Sequence, residues 1–168
     1  MKNSKNLEPL TINLWFDRNA EEAAKFYTAV FSDGKILSTS HYGKEGQEIH
    51  RMPEGAVMTV EFMVHGTKFV GLNGGPLFHL NESVSFIIKC KDQEEVDYYW
   101  DKLGEGGNPE SQQCGWLKDK FGVSWQVIPK AFFTLISDPD RVKAGKVMNA
   151  MLQMKKLDIA KLEEAFNS

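Results

Sequence analysis

Two heptapeptides, Glu21-Glu22-Ala23-Ala24-Lys25-Phe26-Tyr27 and Glu94-Glu95-Val96-Asp97-Tyr98-Tyr99-Trp100, stand 73 residues apart, each at the same place in a longer order of elements. Acidic residues open both, where a helix N-terminus favours negative charge, and aromatic residues close them. Ahead of the first, residues 10–16 alternate: Leu10, Ile12, Leu14 and Phe16 share one face and Thr11, Asn13 and Trp15 the other, the pattern of a half-buried strand. Asp17-Arg18-Asn19 offers a helix N-cap, and Ala20, Ala23, Ala24, Tyr27, Val30 and Phe31 then recur at helical spacing until Ser32-Asp33-Gly34 stops them. Strands are predicted over residues 35–40, 57–64 and 67–72, with a polar stretch holding Gly43 and Gly46 after the first and His65-Gly66 turning the last pair. The order is β-α-β-β-β, ended by Asn73-Gly74-Gly75-Pro76. From Val84 it restarts: a strand over 84–90, a helix over 93–103 carrying Val96, Tyr99, Trp100 and Leu103, a stop at 104–107, short strands near 110–113 and 116–118, and a closing strand over 123–128. Such a repeat predicts two copies of one supersecondary unit.

One β-α-β-β-β unit has a helix on one sheet face and nothing on the other, so two units are expected to use their bare faces together. The expected fold class is therefore α+β: two βαβββ modules, at 8–75 and 82–130, forming an incomplete barrel around a concave pocket, with C-terminal helices over 131–168. A hollow of that kind, walled by strands and open at one side, suits a small organic ligand. Alternation sends Thr11, Asn13 and Trp15 into it from the first strand and Ser85, Ile87 and Lys89 from the fifth. Val60, Phe62 and Val64 oppose Thr59, Glu61 and Met63 on the third strand, and Trp125 and Val127 oppose Ser124 and Gln126 on the last. In the tail, Ser137-Asp138-Pro139 offers a cap. Val142, Met148, Met151, Leu152 and Leu157 make an apolar stripe suited to core or dimer packing, and Asp158 can cap a last helix with Ile159, Leu162, Ala165 and Phe166 inward.

Composition excludes several classes. The 168 residues carry 20 Lys+Arg against 23 Asp+Glu, a net charge of −3 without a basic run, so there is no electrostatic footprint for nucleic acid. No apolar run approaches the ~20 residues that span a bilayer, and the start MKNSKNLEP lacks the apolar core of a signal peptide. The expected location is the cytoplasm, with no membrane partner. Two cysteines, Cys90 and Cys114, do not make the disulfide framework of a small secreted protein.

The layout resembles the vicinal oxygen chelate superfamily, the group that holds glyoxalase, extradiol dioxygenases and bleomycin-resistance proteins. More narrowly, LWFDRNAEEAAKFYTAVF, GLNGGPLF, SVSFIIKC, QCGWLKDKFGVSWQVIP and VMNAMLQMKKLDIAKLEEAF are similar to the PhnB-like branch, often labelled 3-demethylubiquinone-9 3-methyltransferase. The resemblance runs from about residue 8 to the C-terminus and implies a homodimer. It also implies where a metal would sit. Metal-dependent members carry a His on the first strand of each unit and a Glu near the end of the fourth. Those places fall on Thr11 and Ser85, and on Val70 and Gln126.

Hydroxyls, an alkyl group and an amide are poor ligands for zinc or iron, so no catalytic metal and no cofactor are expected. The alternative is a lyase, isomerase or dioxygenase holding Zn, Fe or Mn by another ligand set, or the methyltransferase of the family label. A sequestering protein of the drug-resistance kind would need a pocket and no catalytic group. His41, His50, His65 and His79 lie in or beside turns without the spacing of a paired ligand motif. Glu61 is the one carboxylate on a predicted concave face, where enclosure would raise its pKa and equip it as a general base; on an outward edge it would be an ordinary surface carboxylate. Cys114 either faces the cavity or is a small buried hydrophobe. The expected ligand contacts are Thr11, Asn13, Trp15, Glu61, Ser85 and Gln126, with Trp15 as a stacking wall. Phe16-Asp17-Arg18-Asn19-Ala20 lacks the glycines of a methyl-donor cradle, and Asn73-Gly74-Gly75-Pro76 leads into a linker instead of a helix N-terminus, so it reads as a structural turn.

Overall fold

The computed structural model describes residues 9–168. Residue 8, the expected start of the first module, lies outside the described residues. Two compact units divide the chain between His79 and Leu80. The first contains β1 (Ile12–Phe16), α1 (Ala20–Val30), β2 (Lys35–His41), a single helical turn α2 (Gln47–His50), β3 (Val57–Val64) and β4 (Thr67–Asn73). The second contains β5 (Ser85–Cys90), α3 (Gln93–Gly104), β6 (Trp116–Lys118), β7 (Ser124–Pro129), α4 (Lys130–Ile136), α5 (Arg141–Leu152) and α6 (Ile159–Asn167). Ile12 and Ser85 open the first strand of each unit and Ala20 and Gln93 the helix after it, 73 residues apart in both cases.

The first sheet has the order β1-β4-β3-β2, with β1 parallel to β4 and the other pairs antiparallel. Parallel pairing of β1 with β4 needs a crossover, and α1 begins it. The small buried Ala20, Ala23 and Ala24 form one face of that helix, with Tyr27 and Val30 completing it. Tyr27 stacks on Phe62 at 5.9 Å, and Phe62 on Phe69 at 5.4 Å. Asn19 stands at the cap position without capping; the α1 N-terminus is closed from the end of the neighbouring strand β4, where Asn73 Oδ1 accepts the Ala20 N–H at 2.9 Å.

The second sheet has the order β5-β7-β6, with β5 parallel to β7. It has one strand fewer than expected. Over residues 110–113 the chain makes a 3-10 turn, Pro109–Ser111, and then a lone bridge from Gln113 to Trp116. The cause is local: Asn108 Oδ1 accepts the Glu110 N–H and Ser111 Oγ donates to Asn108 O, so turn bonds take the groups a ladder would use. Val96, Trp100 and Leu103 of α3 are buried, and Ile128, Phe132, Val147, Leu157 and Leu162 form the core beneath the tail helices.

Two tail expectations are corrected. The α5 cap is Asp140, which accepts from Val142 and Lys143 N–H, and Pro139 lies outside the helix. Its buried face is Ala144 and Val147, leaving Val142, Met148 and Leu152 exposed; of the expected stripe, Leu157 is fully buried. Asp158 does cap α6, through Lys161 N–H, with Leu162 inward.

Candidate functional site

Strand alternation makes the face of the first sheet opposite α1. On β3 the buried Val60, Phe62 and Val64 alternate with half-buried Thr59, Glu61 and Met63. Register carries that face across the strands: Asn13 pairs with Val70, Val70 with Glu61 and Glu61 with Ser38, while Trp15, Leu72, Thr59 and Ser40 form the next row. Ser40 and Thr59 hydroxyls meet at 2.6 Å. Lys68, opposite Met63 in a third row, reaches along the sheet to put Nζ 2.9 Å from Glu61 Oε2; the two side chains are 39% and 36% exposed. Beside Lys68 opens a cavity of about 580 Å³, whose walls include Leu10, Thr11, Met63, Gly66, Thr67 and Lys68.

Of the residues expected to contact ligand, Thr11 therefore lines this cavity and Glu61 adjoins it through Lys68. Asn13 is exposed on the same face. Trp15 is there too, but held: its indole N–H donates to Gly75 O at 2.8 Å and its ring meets Phe78 edge to face at 4.9 Å. Gly74 lies flat under the indole, where a Cβ would fall 2.2 Å from the ring. The Gly74 and Gly75 amides donate to Phe16 O and Asp17 O, so the glycine-rich turn spends its N–H groups on the last residue of β1 and the one after it. Asn73, 5% exposed, caps α1, donates to Val57 O at 3.0 Å and accepts the Tyr42 hydroxyl at 2.6 Å through its carbonyl.

In the second unit Ser85 and Gln126 are brought into contact, Gln126 Nε2 donating to Ser85 Oγ at 2.8 Å. Ser124, in register with Ser85 on β5 and Lys118 on β6, is 1% exposed and its hydroxyl has no partner. Lys118 pairs with Glu82. Asp119, 3% exposed, accepts from Phe121 N–H, Val123 N–H and the Trp125 indole at 2.8–3.0 Å, which shapes the β6–β7 loop. Cys114 is half-buried in a two-residue turn with Gly115, at φ 53° and 84°, and their amides donate to Met154 O and Lys155 O. A Cβ on Gly115 would strike Ile128 at 2.6 Å. Burial pushes the Cys90 thiol up to about 12, with Glu95 and Asp92 adding to it, so it stays protonated and inert.

His41, His65 and His79 are exposed; half-buried His50 stacks on Tyr42 at 4.4 Å, with Nδ1 accepting the Met52 N–H. Among the described residues no three His, Cys, Asp or Glu side chains are grouped to hold a metal ion. Thr11, Val70, Ser85 and Gln126, where the resemblance would put metal ligands, offer two hydroxyls, an alkyl group and an amide, and Gln126 and Ser85 satisfy one another. That donor set does not fit zinc, iron or manganese.

The residue that sequence reasoning passed over is Lys68; Ser124 was placed on the face of Gln126, but its burial without a partner was not foreseen. Period-two alternation along β4 was the available signal for Lys68: it shares a face with Val70 and Leu72, opposite buried Phe69, Gly71 and Asn73.

A β-α-β-β-β order, a sheet face left open opposite its helix and a second unit that repeats the opening strand, the helix and the parallel closing strand with one strand fewer define the vicinal oxygen chelate type of fold. The family model for 3-demethylubiquinone-9 3-methyltransferase matches residues 8–128, and the chain belongs to that PhnB-like family. Among solved structures it is similar to the PhnB protein from Bacillus cereus, with 32% identity and a TM-score of 0.60 over 73% of this chain and 99% of that one. It is also similar to protein PA1353 from Pseudomonas aeruginosa, with 19% identity and a TM-score of 0.53 over 71% and 95% of the two chains, a likeness of fold alone. No curated protein matches the chain.

Proposed function

We propose that the chain binds a small, partly apolar organic molecule on the face of the first sheet opposite α1, without a chelating metal. The cavity of about 580 Å³ carries this reading: Thr11, Met63 and Lys68 supply a hydroxyl, a thioether and an ammonium from the approach to β1, from β3 and from β4. Asn13, Trp15 and Glu61 extend the face. An apolar wall with a few placed polar groups is the usual make-up of a small-molecule site.

Methyl transfer, the activity in the family's description, is less well supported, because the Gly74 and Gly75 amides are already bonded to Phe16 and Asp17 carbonyls and cannot cradle a donor. Unpaired Cys90 and Cys114 suit a reducing cytoplasm, and no helix among the described residues is long and apolar enough to cross a membrane.

Native mass spectrometry of the purified protein tests the reading. The expected result is a bound organic molecule, lost from Thr11→Trp, which fills the cavity mouth. Stoichiometric zinc, iron or manganese that disappears in Gln126→Leu or Glu61→Leu would overturn the metal-free assignment. Saturable S-adenosylmethionine binding by calorimetry would replace it with the methyltransferase.

A further inference from the structure

We infer that the group recognised in this cavity is an organic carboxylate, received by Lys68, and that Glu61 is a resident counter-ion the ligand displaces. The inference rests on the ligand-binding reading above and adds its chemistry.

Among the described residues Lys68 is the only charged side chain in the cavity wall; Thr11 and Thr67 add hydroxyls, and Leu10 and Met63 add apolar surface. Glu61 is not part of that wall. It stands one row along the same face, paired to Lys68 Nζ at 2.9 Å. The geometry therefore already contains a carboxylate seated on this ammonium, and an incoming carboxylate needs only to take the same place from the cavity side. Exchange costs little, because a pair whose side chains are more than a third exposed contributes at most about 1 kcal/mol. A neutral ligand gains nothing from Lys68, which keeps Glu61. A cationic ligand meets a like charge in the wall. The apolar neighbours then select an anion with a hydrocarbon body over inorganic phosphate, whose every oxygen needs a polar partner.

Calorimetry with benzoate and its neutral isostere benzamide tests this. The intact protein is expected to bind benzoate more tightly than benzamide by a few-fold, up to about fivefold, the most that an exposed ammonium–carboxylate pair supplies. Glu61→Gln removes the competing carboxylate and tightens benzoate by up to about fivefold, while leaving benzamide unchanged. Lys68→Met abolishes the preference, and Lys68→Arg keeps it, which separates lost charge from lost folding. Equal affinity for the two probes, no binding of benzoate, or a Glu61→Gln variant that binds benzoate more weakly would each overturn the inference. An organic molecule retained by the purified protein would leave the ligand-binding reading standing even then, and its absence would count against that reading alone.

Discussion

At the scale of single residues, Asn73 holds more of the first unit together than any charged group near it. Its side chain replaces the N-cap that Asn19 does not provide and ties β3 through Val57, while its carbonyl anchors Tyr42. Asn73→Ala leaves the Ala20 N–H and the Val57 carbonyl without partners and is expected to cost about 2–3 kcal/mol in urea unfolding. Ser124 is the opposite case. Its buried hydroxyl has no partner, so Ser124→Ala is expected to be neutral or to stabilise by up to about 1 kcal/mol in the same measurement. A loss above that would show a partner the hydroxyl finds in solution. The structural role of Asn73-Gly74-Gly75 was legible from turn chemistry. The bond from Asn73 to a helix 53 positions earlier in the chain was not, since no local pattern marks a cap that arrives from another strand.

At the scale of elements, two glycine-containing turns show why the family's motifs occur together. His65-Gly66, at φ 49° and 71°, joins β3 to β4, and both amides are accepted by the Asp33 carboxylate at 2.8 and 2.9 Å. Cys114-Gly115 makes a turn of the same hand, and its amides are accepted by carbonyls of the QMKKLD segment, so GWLKDKFGVSWQ is tied through its preceding turn to the tail. Lys156 of that segment also pairs with Asp97 on α3 at 2.8 Å. The Lys156 hydrogen bond, with a second from Gln93, holds the Asp97 carboxyl below its ordinary 3.8, so the stabilisation is present above that value and lost as pH falls through the lower folded one. Lys156 is held above its ordinary 10.5, chiefly by the same bond, so its share is present below that value and lost in strong alkali. Asp97→Asn is accordingly expected to cost at most about 1 kcal/mol at neutral pH and to flatten the loss of thermal stability below about pH 4. An unchanged acid limb would mean that the contact contributes nothing. Helices, turns and long strands followed from periodicity. The strand at 110–113 did not survive, because Asn108 and Pro109 favour a turn, and the α5 face was only partly right: Met151 packs on the core as expected, but Ala144 and Val147 make the buried side where the larger Val142, Met148 and Leu152 were expected.

At the scale of the whole molecule, the spacing of 73 residues carried the fold order from sequence to structure, and family membership follows from the same elements. What no period encodes is which half-buried side chain touches which: Lys68 lines the cavity, and Glu61 joins the candidate site only through its contact with Lys68. The homodimer proposed from the family resemblance belongs to this scale. Val142, Met148 and Leu152 lie 70%, 37% and 49% exposed along α5, and a copy of the chain is the proposed cover. Light scattering at micromolar concentration is expected to give twice the chain mass, reduced to one chain mass in Val142→Glu/Leu152→Glu; a monomer in the unaltered protein would remove the dimer and leave the fold as it is. The seat of Trp15 has a practical consequence. It is the first unit's lone tryptophan, its indole fixed by one carbonyl and one phenyl ring on the face proposed to bind ligand, whereas Trp100, Trp116 and Trp125 all belong to the second unit. Its ultraviolet emission is thus a dye-free gauge of occupancy, with Trp15→Phe as the optical blank.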